Sequence, residues 1–181
     1  MDLRLRRTLI TGSATFGVWD RQYFLNVTDY DTWEEELLDD EDIVRHITAG
    51  HFVPITIYSD GAFEFEVRVG EPEINSLSPR EHQFLIESSE PYLFRSAGEL
   101  SVSGIEFVGE ERDDQIATLQ IPAGDYDVTV HYIDWEKEPG AQDEQGQASA
   151  DALPDFVVLV NENGGTLENY RKVTRTFESI T

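Results

Sequence analysis

Nine carboxylates fall between positions 29 and 42: Asp29, Asp31, Glu34, Glu35, Glu36, Asp39, Asp40, Glu41 and Asp42. No lysine or arginine lies among them. Side chains of one sign packed this densely repel each other, so the run is a solvated face, a cation site, or a surface waiting for a basic partner. Trp33 sits inside the run. A second group, Asp134, Trp135, Glu136 and Glu138, again sets an indole among acids, where an alternating stretch ends. Aromatic rings are favoured anchors of protein interfaces. These fourteen residues are the candidate partner-binding set.

Other chemistries find less support. Cysteine is absent, which removes disulfides, zinc-thiolate sites and cysteine nucleophiles. No Gly-x-Ser-x-Gly elbow and no phosphate-binding glycine loop occurs, and Asn163-Gly164-Gly165 reads as a turn. The histidines His46, His51, His82 and His131 lack the spacing of a metal centre. With 37 acids some pair always stands at a glycosidase-like separation, so carboxylate pairs have no diagnostic value. The expectation is a non-enzymatic protein without cofactor, metal or catalytic residues. The alternative is a calcium- or carbohydrate-binding module. Asp29, Asp31, Asp60, Asp113 and Asp114 could converge from loops on calcium, and Trp19, Trp33, Trp135, Tyr126 and Tyr132 could stack on a sugar.

The charge balance points the same way. Thirteen lysines and arginines against 37 acids give a net charge of −24. Such a surface repels phosphates and anionic lipid, so neither nucleic acid nor membrane is an expected partner, and a basic protein is. A salt-adapted host is the competing explanation, and it suits a chain with only two lysines, Lys137 and Lys172. The N-terminus lacks the apolar run of a signal peptide, and no stretch of about 18 apolar residues suggests a membrane helix. A cytoplasmic location is expected.

The elements that must position these groups are mostly strands. At 181 residues one domain spanning 1–181 is expected. Residues 3–9, Phe16-Gly17-Val18-Trp19 and Tyr23 to Val27 read as strands. Asp31, with Glu34 three residues on, reads as the cap of a short helix from Thr32 to about Leu38. Phe63, Phe65, Val67 and Val69 alternate with Glu64, Glu66 and Arg68, and the preceding Asp60-Gly61 signals a hairpin with Phe52 to Tyr58. Leu119 to Tyr132 reads as a second hairpin about Pro122 and Gly124. The polar stretch from about 136 to 152 reads as a flexible acidic insertion. After it, Phe156-Val157-Val158-Leu159-Val160 resumes as a buried strand, and Tyr170 to Phe177 as a further strand or a docked tail. The sum is a mainly β protein, an antiparallel β-sandwich of jelly-roll or C2-like kind with one short helix.

The run Ile121-Pro122-Ala123-Gly124-Asp125-Tyr126-Asp127-Val128-Thr129-Val130, the acidic insertion, and Asp155-Phe156-Val157-Val158-Leu159-Val160 together resemble the C-terminal half of the competence protein J-like family. The upstream order is similar too: Trp33, Val53 to Tyr58, Asp60-Gly61, Phe63 to Val69 and Phe84-Leu85-Ile86-Glu87. The long N-terminal acidic run and the insertion after Trp135 depart from that pattern. The resemblance implies a small β-sandwich and inhibition of a partner nuclease. It is thus consistent with an inhibitor or immunity protein that blocks a basic, nuclease-like toxin.

Overall fold

Alternating apolar residues need two layers to bury one face each, and the chain supplies them as two sheets. The computed structural model describes residues 2–111 and 113–180; Met1, Arg112 and Thr181 lie outside the described residues. The strands are β1 (Leu3–Thr11), β2 (Thr15–Trp19), β3 (Phe52–Thr56), β4 (Gly61–Gly70), β5 (Leu85–Ser88), β6 (Tyr92–Ser96), β7 (Glu99–Gly104), β8 (Ala117–Gln120), β9 (Gly124–Ile133) and β10 (Phe156–Asn161). One sheet runs β1-β4-β10-β9, with β5 and β6 following one another along the outer edge of β9; the other runs β3-β2-β7-β8. Pairing is antiparallel except between β4 and β10, which run parallel with Phe156 opposite Phe65.

The inner faces meet through Phe16, Val18, Phe65, Val67, Val102, Val130, Phe156 and Val158, all buried. Phe16 meets Phe65 edge-on at 4.7 Å. A smaller cluster, Leu77, Ile133, Leu153, Val157 and Leu159, covers the outer face of β10. Apolar cover on both faces explains why β10 reads as a continuous apolar run rather than an alternating one.

Neither expected hairpin forms. β8 pairs with β7 in one sheet while β9 pairs with β10, β5 and β6 in the other, so the Pro122–Gly124 turn crosses between the layers. Ile121 is buried at this corner, its N–H donates to Gly98 O at 3.1 Å, and the Tyr126 hydroxyl donates to Pro122 O at 2.8 Å. The Asp60-Gly61 turn likewise carries the chain from β3 in one sheet to β4 in the other. Period-two alternation states which face of a strand is buried; it does not state which strand lies alongside.

Among the described residues the α-helices are α1 (Tyr30–Leu37), α2 (Asp40–Ala49) and α3 (Pro79–Gln83), so the single expected helix is one of three. Residues 23–27, expected as a strand, instead close a 3-10 turn (Arg21–Phe24) and lead out of it, and Phe24 packs edge-on against Trp19. α2 packs on β3 and β6. The C-terminal residues form a docked tail. Thr176 Oγ1 accepts from Thr56 N at 2.9 Å and donates to Pro54 O at 2.8 Å, and Phe177 is buried beside Phe156 and Tyr132.

Candidate functional site

α1 is capped by Asp29 rather than by Asp31. The Asp29 carboxylate accepts from Thr32 N at 2.9 Å, and Thr32 Oγ1 accepts in return from Asp29 N at 3.1 Å, which satisfies two of the helix's otherwise orphaned donors. Those hydrogen bonds from Thr32 hold the Asp29 carboxyl below the usual range. Asp31 follows, exposed, in the first turn, where a negative charge complements the helix dipole. Asp40, Glu41 and Asp42 stand in the same relation to α2, with Asp39 at its N-cap.

Glu36 holds the two helices together. Its carboxylate takes a hydrogen bond from Asn26 Nδ2 at 2.8 Å, lies 2.7 Å from His46 Nε2 and pairs with Arg45 at 3.1 Å. Burial alone would raise its pKa; these three partners outweigh burial and lower it. Burial lowers the pKa of His46 despite Glu36. Asp42 pairs with Arg45 at 3.0 Å. Part of the acidic run therefore builds the helix pair, while Asp31, Glu35, Asp39, Asp40 and Glu41 are exposed, as is the capping Asp29.

Beside α1 lies a cavity of about 1180 Å³, walled by Trp33, Tyr30, Leu25, Leu38 and Val108, with Asp29, Glu106, Glu110, Glu111 and Arg21 at its polar margin. Trp33 is oriented by its indole N–H, which donates to Ile105 O at 2.9 Å. The Tyr30 ring lies nearly parallel to it, at an angle of 17° and a centroid distance of 6.1 Å. Tyr30, Leu25 and Leu38 are 64%, 50% and 52% exposed, an unusual concentration of apolar surface on so acidic a chain. The opposite wall depends on Gly109. Its φ is +93°, and a Cβ there would stand 2.6 Å from the Val27 side chain. Burial, then Asp113, raises the pKa of Glu110.

The second acidic group lies elsewhere. α2 meets β6, which pairs with the first half of β9, whereas Trp135 follows the end of β9. The seven steps along the chain from Val128 to Trp135 span about 23 Å if extended, so the two groups are separate surfaces. Trp135 donates its indole N–H to Asp155 at 2.9 Å and packs against the smaller core cluster. Asp134 pairs with Lys137 at 2.9 Å, Glu138 accepts from Arg80 Nε at 2.7 Å, and Glu136 is exposed.

The acids that could have met on calcium disperse into separate turns. Asp60 accepts from Ala14 N at 3.0 Å and Asp113 from Gln115 N at 2.7 Å. Among the described residues no group of three or more His, Asp or Glu side chains is placed to hold a metal ion. Trp19 and Tyr126 are buried in the core, which leaves no shared aromatic platform with Trp33 and Trp135. Of the candidate set, the cavity draws in Asp29 and Trp33. It adds Tyr30 and Leu38, a tyrosine and a leucine at the two ends of the acidic helix, Leu25 after the 3-10 turn, and Glu110 and Glu111 from a loop far along the chain that carries no sequence signal for this site.

Fold and site together define a two-sheet, mainly β protein that carries an acid-rimmed aromatic cavity beside a helix pair. No protein-family model and no curated protein matches the sequence. Among solved structures, one described as crocagin biosynthetic gene J is similar at a TM-score of 0.61 and 16% identity, over 91% of this chain and 99% of that chain. Another is ComJ from Bacillus subtilis, described as an inhibitor of the DNA degrading activity of NucA. It is similar at a TM-score of 0.52 and 12% identity, over 89% of this chain and 98% of that one. The likeness lies in the fold, and that fold agrees with the one the competence protein J-like resemblance implies.

Proposed function

We propose that the protein is a non-enzymatic inhibitor that docks onto a basic, nuclease-like partner through the α1–α2 surface and the cavity beside Trp33. The observation that carries this reading is the exposed aromatic and leucine surface set inside an acidic rim. A fold shared with an inhibitor of DNA degradation supports it. Charge complementarity would speed encounter and cover the partner's nucleic-acid-binding cleft, while the aromatic contact would set the lifetime of the complex. An immunity role in the cytoplasm, guarding the cell against its own toxin, follows from the same reading.

The test is capture by the immobilised protein from the cells that make it, at about 0.15 M salt, where exposed charges interact over ~8 Å. Glu34→Lys with Glu35→Lys is the suitable reversal, because Glu36 holds the helix pair together. The expected result is a basic, DNA-cleaving protein retained by the wild type and lost by the reversal. Recovery of no basic protein, or retention indifferent to the reversal, would contradict the proposal.

A further inference from the structure

Two of the four carboxylates around the cavity already have work within the fold. Asp29 caps α1, and Glu106 accepts from Thr11 Oγ1 at 2.9 Å and from Gly12 N at 2.8 Å. Glu110 and Glu111 differ: among the described residues no hydrogen bond or ion pair within 4 Å reaches either carboxylate. Arg21 shares the wall without neutralising them, and its own Nε is buried with no hydrogen-bond partner. Glu110 and Glu111 are both exposed at the margin of the cavity, where burial and the neighbouring Asp113 still raise the pKa of Glu110, and an incoming cation relieves that repulsion.

The aromatic side of the cavity has a matching preference. The Ile105 hydrogen bond fixes the Trp33 ring, and Tyr30 lies nearly parallel and largely exposed. A cation over an indole face is attracted by the ring quadrupole, more strongly once water is excluded. Arginine satisfies both sides at once, because its planar guanidinium stacks on rings and forks onto carboxylates. Gly109 lets the acid-bearing loop close against Val27, which brings Glu110 and Glu111 into the same cavity as the rings.

Resting on the inhibitor reading above, we propose that this cavity receives one arginine side chain projected from the basic partner, its guanidinium stacked on Trp33 and its charge met by Glu110 and Glu111. The arginine is the anchor of the interface, and the exposed acids of α1 and α2 guide it in.

The test needs no partner. The full chain, labelled for NMR, is titrated with N-acetyl-arginine methylamide and, separately, with the neutral citrulline analogue of the same shape. The Trp33 indole resonance is expected to move saturably with the arginine probe alone, while the Trp135 indole stays in place. Glu110→Gln is expected to weaken the response about tenfold, with an unchanged circular dichroism spectrum. Equal responses at Trp33 and Trp135 would show diffuse attraction to an acidic surface and overturn the proposal. So would binding of the citrulline analogue, or indifference to Glu110→Gln. The two readings fail separately. A nuclease partner bound equally by wild type, Glu110→Gln and Trp33→Phe would remove the arginine cavity and leave inhibition standing. Specific arginine binding without any nuclease partner would do the reverse.

Discussion

Acidification offers a sharp test of how β9 is built. His131 is buried in that strand, with Ser88 Oγ 2.7 Å from Nδ1 and Thr129 Oγ1 2.9 Å from Nε2. Burial, aided by His82 and Arg68 and opposed by Glu81, pushes its pKa from 6.5 down to about 4. The unfolded chain therefore binds a proton at this ring before the folded chain does. The stability gained from a neutral His131 is fully present above about pH 6.5 and is lost as pH falls toward about 4. At ~1.36 kcal/mol per pH unit that interval corresponds to about 3 kcal/mol, of which about 2 kcal/mol disappears between pH 7 and pH 4.5. The protein as a whole does not follow this curve, because acidification also relieves repulsion in a chain of net charge −24. The contribution is isolated by difference. Urea unfolding of the wild type and of His131→Gln is compared at the two pH values, and the wild type is expected to lose about 2 kcal/mol more than the variant. Parallel pH dependence of the two proteins would refute the reasoning.

The tail and the crossing turns give further expectations. Phe177→Ala removes a fully buried ring from beside Tyr132 and Phe156 and is expected to cost about 3–5 kcal/mol in denaturant unfolding. A loss under about 1 kcal/mol would mean that the tail is not docked. Gly17→Ala places a Cβ 2.1 Å from the Phe52 ring, between paired strands, and is expected to lower the thermal midpoint sharply; an unchanged midpoint would contradict the β2–β3 packing. Gly109→Ala forces apart the loop and Val27 and is expected to abolish the Trp33 response to arginine while most of the core remains, as read by NMR.

The sequence and structure agree most closely where one physical signal decides the outcome. Alternation in Phe63–Val69 located β4, and the unbroken apolar run at Phe156 located β10, covered on both faces by two apolar clusters. The partners of those strands were not legible, since the turns at Gly61 and Gly124 carry hairpin residues yet cross between sheets. The helix cap shows a similar ambiguity. Asp31 with Glu34 and Asp29 with Thr32 both place a carboxylate three residues before a polar side chain, and the contact with the preceding turn selects the earlier pair. The acidic run was visible as a charged surface. Its division into structural members such as Glu36 and exposed members such as Glu35 depends on His46 and Asn26, ten residues away on either side. The cavity itself required the loop from Val108 to Glu111, which folds against Val27 from far along the chain.

The proposed block of a nuclease by the acid-rimmed cavity is tested by titrating the DNA-cleaving activity of the captured, purified partner with the protein, beside Trp33→Ala. Cleavage is expected to fall to zero at one equivalent of wild type, and the variant to require about thirtyfold more free protein, as loss of an aromatic hot spot of ~2 kcal/mol implies. A partner that still cleaves DNA when saturated, or that is blocked equally by Trp33→Ala, would contradict it.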